Sequence, residues 1–414
     1  MFDLSHNRFK RYLKHFFKLK PETNHFFIVA FFHAIAGIAL PTKRPLWRWI
    51  WNVYRSCLVL HYLLCVVRCF LTIKSGESFN AVLINMHVIF SLTINYTRSL
   101  IIGANFKYFV HVKGFINDRK YRNDTKSVEI RQKAYEHSLV VTMIFVANIV
   151  FQSISIPSTG MTNTDPFQIP IDLTGLPHFA RKIVEMWYNL LFITATYISA
   201  SNFLSMYLAM VGLRAELRVA LDSISSIGDY LDYVDGKDGE FEQGEKFWKE
   251  LHGELKRSIG HHVEVLVHLD VLKNVTNLSF LLLYYMTMLI VAAGVLILTI
   301  YPVVDVFYVF AIDYTIRYLI ECFVFCNMVS SLNEVQHAIG ETLIHQAWIS
   351  KLKFTKQFSE HYRAVRACIL IELMESQRSL RINCGGMFEL TLAKFTRIIN
   401  TSYSLSLFMA NFRN

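Results

Sequence analysis

Hydrophobic positions along this chain form long, nearly uncharged runs rather than the short alternating patterns of a soluble sheet. Three runs, 138–156, 186–212 and 274–301, contain no Asp, Glu, Lys or Arg. A membrane-spanning helix needs about 20 mostly apolar residues, so each of these runs predicts one. Four further runs are apolar but carry charges inside them. The seven predicted spans are 49–73, 78–102, 138–156, 186–212, 274–301, 303–330 and 386–412.

A shorter apolar stretch precedes the first span. It covers 26–40, contains His33 and stops at Pro41. At about 15 residues it is too short to cross a bilayer, so we expect a re-entrant or interfacial segment.

Basic residues are distributed unevenly between alternate loops. The four segments on one side of the predicted membrane, 1–48, 103–137, 213–270 and 331–385, carry 31 Lys and Arg, and those on the other side carry four. Cytoplasmic segments near membrane helices are enriched in Lys and Arg. The pattern predicts a cytoplasmic N-terminus and an extracellular C-terminus. The net charge of +10 then faces anionic lipid and requires no nucleic-acid partner.

Composition supports a single membrane domain. The 414 residues are 53% hydrophobic and only 18% charged, and no linker or repeat divides them. We therefore expect an all-α membrane protein with a cytoplasmic N-terminus in 1–48, spans one to six in 49–330, cytoplasmic anchor helices in 331–385, and a seventh span with an extracellular C-terminus in 386–414. Helical spacing of Leu332, Val335, Ile339 and Leu343 predicts the anchor helix. Within 213–270, an acidic cluster predicts a solvated hairpin whose helices extend spans four and five.

Residues able to bind metal or catalyse a reaction form no recognisable motif. All seven cysteines fall in apolar runs or predicted cytoplasmic loops, so no extracellular disulfide is expected. Cys322 and Cys326 lack a second Cys/His pair, which favours buried helix cysteines over a zinc site. A group before span five lacks the HExxH pattern, which favours a polar cytoplasmic helix face. Its members are His261, His262, Glu264, His268 and Asp270. We predict neither an enzyme nor a cofactor.

Span six carries three charges at four-residue intervals, Asp313, Arg317 and Glu321. This spacing places them on one helix face, where opposite charges can pair. Charges at that depth must face protein or water. They predict either a structural ion-pair ladder or a polar support below a ligand pocket.

Aromatic residues recur at a similar depth in four predicted spans, together with a few polar ones. A cavity between them would be apolar with few polar anchors, which suits a small hydrophobic ligand, although ordinary helix packing explains any single one. The candidate pocket residues are Phe79, Met86, His87 and Phe90 of span two; Phe145, Asn148, Phe151 and Gln152 of span three; Trp187, Tyr188, Leu191 and Phe192 of span four; and Phe307, Phe310, Ala311 and Tyr314 of span six.

The last span has a polar stripe. Helical stepping aligns Arg397, Asn400, Thr401, Ser404, Phe408 and Asn411 on one side. A polar stripe closed by an aromatic residue is typical of a narrow water path that a hydrophobic constriction gates. One helix cannot enclose such a path, so several copies must surround an axis. The candidate pore and gate residues are Ser404, Phe408, Asn411 and Phe412.

The C-terminal region resembles the end of insect odorant receptors. The similarity lies in 341–412, in Trp348 of "HQAWISK" and in a Gly-containing bend followed by a helix with a Tyr-Ser pair. The matching positions are Gly385, Gly386, Phe388, Leu392, Phe395, Tyr403 and Ser404. Upstream of this region the agreement is in topology and loop lengths.

The resemblance implies a tetrameric, non-selective cation channel in the plasma membrane of olfactory sensory neurons. Span seven would line its central pore, cytoplasmic helices would join the subunits, and a small volatile molecule would bind in the outer half among spans two, three, four and six. The family's gate lies near the outer end of span seven, here at Phe408 and Phe412. The universal odorant co-receptor has a Thr-Tyr pair and a longer loop than 213–270. This chain is therefore expected to be an odorant-selective subunit that assembles with the co-receptor.

Other receptor classes fit less well. Gustatory receptors end in Thr-Tyr, five apolar residues and Gln-Phe, where this chain has Ser404-Leu405 and Asn411-Phe412. A G-protein-coupled receptor would have the opposite orientation, and its arginine motif, cysteine pair and Asn-Pro motif are missing from the sequence. No paired intramembrane carboxylates of transporter type are present.

Overall fold

The computed structural model describes most of the chain and is almost entirely helical. The described residues are 17–20, 22–39, 44–159, 167, 169–171, 173–235, 244–300, 304, 306–346, 349, 352 and 354–411. Their helices are α1 (Phe27–Ile35), α2 (Pro45–Lys74), α3 (Phe79–Ala104), α4 (Phe106–Asp118), α5 (Thr125–Thr159), α6 (His178–Asp235), α7 (Glu245–Ile300), α8 (Val306–Ile344), α9 (Ser359–Ser376) and α10 (Leu392–Asn411). Strands β1 (Asn383–Cys384) and β2 (Phe388–Glu389) form an antiparallel hairpin before α10. The expected all-α class is confirmed, apart from this hairpin.

Membrane-type helices make up much of the fold. Within the described residues, α2, α3, α5, α6 and α7 are long and apolar enough to cross a bilayer. The predicted spans 303–330 and 386–412, which lie largely in α8 and α10, contain four and three charged residues, more than any other predicted span. The seven-span count and the orientation of the termini therefore remain predictions.

Helices α6 and α7 extend far beyond the thickness of a bilayer. Their 58 and 56 residues correspond to about 85 Å each at 1.5 Å per residue, against a hydrocarbon core of about 30 Å. Helix α7 packs against α3, α6, α8 and α10 and also against α4 and α9. One helix thus joins the membrane-type bundle to the helical extension that contains α9.

The histidines before span five are buried, so the predicted polar face is wrong for them. His261, His262 and His268 all lie in the interior. His261 Nε2 is 3.3 Å from Glu216 Oε2, and the ring of His268 stacks on Phe115 with centroids 4.0 Å apart. Spacing within one helix could not show that α4 and α9 cover this face.

His262 links α7 to the anchor helices. Its Nε2 is bonded to Gln336 Oε1 at 2.8 Å, and its Nδ1 lies 2.7 Å from Glu372 Oε1 in a bent, ion-pair contact. His262 lies before the predicted span 274–301. Burial alone would lower the pKa of its imidazole. The contact and negative charge of Glu372 outweigh burial and raise that pKa above its ordinary value. The contact between His262 and Glu372 therefore joins α9 to α7.

The predicted anchor positions are buried on α8. Leu332, Val335, Ile339 and Leu343 all face the core, as their helical spacing predicted. Cys322 and Cys326 are buried in the same helix, and the described residues contain no group of three metal ligands.

Helix α1 lies against α6 instead of standing as an independent span. Its 9 residues cover only about 14 Å, and His33 Nε2 bonds Ser205 Oγ at 2.7 Å. Whether 26–40 is re-entrant stays a prediction, and residue 40 lies outside the described part.

The bend predicted at Gly385 and Gly386 is present and is attached to α7. Both glycines have positive φ, at 60° and 73°, which L residues rarely adopt. A Cβ on Gly385 would lie 2.5 Å from Leu281. Backbone N–H groups of the two glycines donate to the main-chain and side-chain oxygens of Asn277, at 3.0 and 3.1 Å. The hairpin therefore fixes the point where α10 starts, and α10 begins at Leu392 instead of 386.

Candidate functional site

A small cavity lined by buried residues lies between α3, α5, α6 and α8. Its volume is about 30 Å³, roughly the room of one or two water molecules. Aliphatic and aromatic side chains form most of its wall. The lining residues are His87, Val88, Ser91 and Leu92 of α3; Ile156 of α5; Phe167; Phe192, Ala195 and Thr196 of α6; and Phe310 and Tyr314 of α8.

Four of the residues proposed from the sequence meet at this cavity: His87, Phe192, Phe310 and Tyr314. They come from three helices, as the shared depth of the aromatic residues suggested. The ring of Phe310 stacks on Tyr314 with centroids 5.5 Å apart, and Phe167 contacts Phe310 edge-on at 5.6 Å. An aromatic cluster therefore forms one side of the cavity.

The remaining proposed pocket residues lie elsewhere. Met86, Phe151 and Trp187 are exposed at the bundle surface. Phe307 and Ala311 belong to a separate apolar cluster against which Phe79 packs, and Phe90 packs against the main core.

Three further proposed residues pack within the bundle. Phe145 stacks on Phe203 at 3.8 Å, Leu191 contributes to a third cluster, and the hydroxyl of Tyr188 contacts Cys65 Sγ at 3.4 Å. These side chains support the helices around the cavity without lining it.

Sequence reasoning missed seven lining residues. Ser91, Ala195 and Thr196 are small and lie one helical turn or less from residues that were proposed, so a search for small side chains beside aromatic ones could have found them. Phe167 comes from the connection before α6, where no helical period marks it. The others are Val88, Leu92 and Ile156.

Of the two predictions for the charges of α8, the ion-pair ladder is wrong, and the polar support below a ligand pocket stays a prediction. Asp313 accepts hydrogen bonds from Asn148 Nδ2 and Gln152 Nε2, both at 2.7 Å. Arg317 donates to Gln152 Oε1 at 3.1 Å and to Ser199 Oγ. These partners lie on α5 and α6, so the charges of α8 bond to neighbouring helices instead of to each other. A four-residue spacing permits ion pairs within one helix. In this structure the side chains of α5 and α6 provide the hydrogen-bond partners instead.

Glu321 pairs with Arg98 of α3. Both side chains are completely buried, and Arg98 Nε also donates to Ser279 Oγ at 3.0 Å. Nearby, Asn95 Nδ2 donates to the Tyr314 hydroxyl at 3.1 Å and Tyr318 donates to Asn95 Oδ1 at 2.7 Å. A polar network thus lies directly behind the cavity wall and connects α3 with α8.

Helix α10 has two distinct faces. Ile398, Ser402 and Ser406 are buried, and Ser402 Oγ donates to the backbone oxygen of Met288 at 3.1 Å. The stripe proposed from the sequence is exposed along its described length, including Ser404, Phe408 and Asn411. Ile399, Tyr403 and Leu407 share this exposure. Phe412 and Trp348 lie outside the described residues.

Comparisons with known proteins give one matching family and two similar solved structures. The family model described as "7tm Odorant receptor" matches residues 78–403. The structure of the insect olfactory receptor OR5 from Machilis hrabei in complex with eugenol is similar, with a TM-score of 0.72 and 12% identity over 93% of this chain and 97% of that one. A second structure of that receptor gives a TM-score of 0.67 and 12% identity over 92% and 96%. No curated protein sequence matches.

At 12% identity the structural similarity concerns the fold. The family match covers more than half of the chain and includes α3, the cavity helices and most of α10. It also decides between the odorant and gustatory alternatives. The chain belongs to the insect odorant receptor family.

Proposed function

We propose that this chain is the odorant-selective subunit of a ligand-gated, non-selective cation channel that assembles with the odorant co-receptor. A small volatile molecule binds in the cavity formed by α3, α5, α6 and α8. The observation that best supports the proposal is the cavity itself, which is lined by buried, mostly apolar residues and bordered by a buried polar network. Such a site suits a small hydrophobic ligand with few polar groups.

The cavity must widen to admit an odorant. A volume of about 30 Å³ holds one or two waters, whereas a volatile of ten or so heavy atoms is several times larger. Eugenol, the ligand of the similar Machilis receptor, has this size. Binding therefore separates the aromatic side chains on α6 and α8, and the difference between the odorant's affinities for the closed and the widened cavity can drive gating.

Helix α8 is the element best placed to transmit the movement. It carries Phe310 and Tyr314 at the cavity and packs against α7 and α10. The rings of Phe323 on α8 and Phe395 on α10 lie 5.4 Å apart in an edge contact. A displacement of α8 at the cavity thus reaches the helix proposed to line the pore through direct packing.

The exposed face of α10 supports the proposed oligomer. Tyr403, Leu407 and Phe408 are more than half exposed in the single chain, beside the polar Ser404 and Asn411. In a pore helix, such side chains gain van der Waals contacts when they pack against equivalent helices of other subunits. Four α10 helices, contributed by this chain and the co-receptor, would enclose the ion path.

Voltage clamp of cells expressing this chain with and without an odorant co-receptor tests the proposal. We expect cation currents evoked by volatiles only when both are present. Phe310→Ala and Tyr314→Ala should each change the half-maximal concentration of active volatiles by about tenfold or alter their ranking, since each removes apolar contact worth about 1–3 kcal/mol.

Val309→Ala is the matched control, because Val309 lies in the same helix but is exposed at the surface. It should leave concentration dependence and ranking unchanged. If both cavity variants reach the surface and respond as the unmodified channel does, the odorant does not bind in this cavity.

A further inference from the structure

His87 is the least satisfied polar side chain at the cavity. It is buried in α3, and neither Nδ1 nor Nε2 has a hydrogen-bond partner. Its ring faces Tyr314 edge-on at 6.1 Å between centroids, and both residues line the cavity. Buried polar groups are nearly always hydrogen-bonded. Two unpaired nitrogens on a cavity wall indicate a partner that enters the cavity.

The hydroxyl hydrogens of the other polar lining residues are already committed within the protein. Ser91 Oγ donates to the backbone oxygen of His87 at 2.8 Å, and Thr196 Oγ1 donates to the backbone oxygen of Ile193 at 2.8 Å. Such bonds to a preceding turn satisfy a helical hydroxyl locally. Neither side chain needs a ligand.

The Tyr314 hydroxyl is also committed. Tyr318 donates its hydrogen to Asn95 Oδ1, so in the 3.3 Å contact between the two tyrosines the hydrogen comes from Tyr314. Asn95 Nδ2 donates to the same Tyr314 oxygen. This three-residue ring of hydrogen bonds holds Tyr314 in place. Among the described lining residues, His87 alone offers a side-chain N–H donor with no bond inside the protein.

We propose that His87 is the polar anchor of the odorant site and selects volatiles that carry a hydroxyl group. A buried imidazole without a carboxylate partner is neutral, with one N–H donor and one acceptor nitrogen. A hydroxyl both donates and accepts, so it can satisfy either nitrogen in either tautomer. A hydrocarbon of the same shape leaves both unsatisfied and forfeits a hydrogen bond in a low-dielectric site. This inference rests on the proposed function, because it places the odorant in the same cavity.

Matched ligand pairs test the anchor in channels formed with the co-receptor. Each pair joins an alcohol to its isosteric hydrocarbon, such as benzyl alcohol with ethylbenzene and 1-hexanol with heptane. We expect the alcohols to activate at about tenfold lower concentration, the effect of one net hydrogen bond. His87→Phe, which keeps a planar ring without nitrogen, should remove this difference by weakening the alcohols only. His87→Gln, which retains a donor and an acceptor, should preserve part of it.

His137→Phe is the control, since it makes the same change at an exposed histidine outside the cavity. Cell-surface labelling confirms that each variant is assembled. Equal potency of alcohols and hydrocarbons in the unmodified channel, no response to any alcohol, or an undiminished alcohol preference in His87→Phe overturns the anchor.

The same recordings separate this inference from the proposed function. If hydrocarbons activate the channel and Phe310→Ala shifts their potency, the cavity is the odorant site and only the anchor fails. If His87→Phe and Phe310→Ala both leave every response unchanged, the location of the odorant site fails with it.

Discussion

Single buried charges tie the helices of this receptor together. In the sequence, Arg98 appears as an interruption of the second apolar run, and Glu321 as one of three charges in span six. The structure pairs them across 223 positions of sequence with both side chains fully buried. Removing one partner of a buried pair leaves an uncompensated charge, which costs far more than replacing both with apolar residues.

Removing one member of this pair should therefore lower the stability of the protein more than replacing both members with apolar residues. We expect Arg98→Ala and Glu321→Ala each to lower stability by about 3–5 kcal/mol. The double variant Arg98→Met with Glu321→Leu, which fills the space with apolar atoms, should recover most of that loss. Thermal unfolding of the detergent-solubilised protein, followed by fluorescence-detected size exclusion, measures the difference. Single variants that melt at the temperature of the unmodified protein would show that the pair is not a structural tie.

Helix α10 shows what periodicity can and cannot predict for one element. The stripe containing Ser404 and Asn411 was found from helical stepping alone, because a 3.6-residue period sets which positions share a face. The same stepping could not show that Ser402 and Ser406 would be buried. Their small polar side chains allow α10 to approach α7 closely, and one of them bonds the α7 backbone. That interface depends on a partner more than 100 residues earlier in the chain.

Substitutions on the exposed face of α10 should alter conduction. Phe408→Ala should increase current in the absence of odorant, since a smaller side chain lowers the cost of wetting a closed constriction. Asn411→Asp should raise the permeability of cations relative to anions by adding a negative charge beside the path. Both are measured by voltage clamp, from the resting current and the reversal potential in diluted salt.

Met409→Ala provides the comparison, because Met409 packs against the apolar cluster formed by α3, α7 and α8. It should leave ion preference unchanged. If neither Phe408→Ala nor Asn411→Asp changes resting current or ion preference in channels that still respond to odorant, α10 of this subunit does not line the pore.

At the scale of the molecule, long apolar runs predicted the helices well, but the contacts between helices could not be predicted from the sequence. Hydrophobic length is a local property, so the cores of the seven proposed spans all lie inside described helices. Burial of His262 and the partners of Arg317 depend on which helices become neighbours, which no single run encodes. At the cavity, the aromatic positions were partly predictable, whereas Phe167 was not because it comes from a connection without a helical period.

The predicted orientation of the whole chain rests on the distribution of Lys and Arg and can be tested by glycosylation. Asn123-Asp124-Thr125 is an acceptor sequence in a loop predicted to be cytoplasmic, and it should carry no glycan. Asp172→Asn creates an acceptor in 157–185, predicted to be extracellular, and should gain one. Glycosidase-sensitive mobility on gels measures both. A glycan at Asn123, or none after Asp172→Asn in protein at the cell surface, would contradict the orientation.

The small size of the cavity separates how sensitive this receptor is from what it prefers. Every odorant must first separate the same aromatic side chains, so the cost of widening the cavity beyond its volume of about 30 Å³ is a penalty that every dissociation constant shares. Differences between odorants arise only from the contacts made afterwards. Substitutions behind the cavity wall that lower this cost without changing a lining side chain would lower the detection threshold for all ligands together, while the order of odour preference stays the same. Threshold and odour quality can thus evolve independently in this receptor.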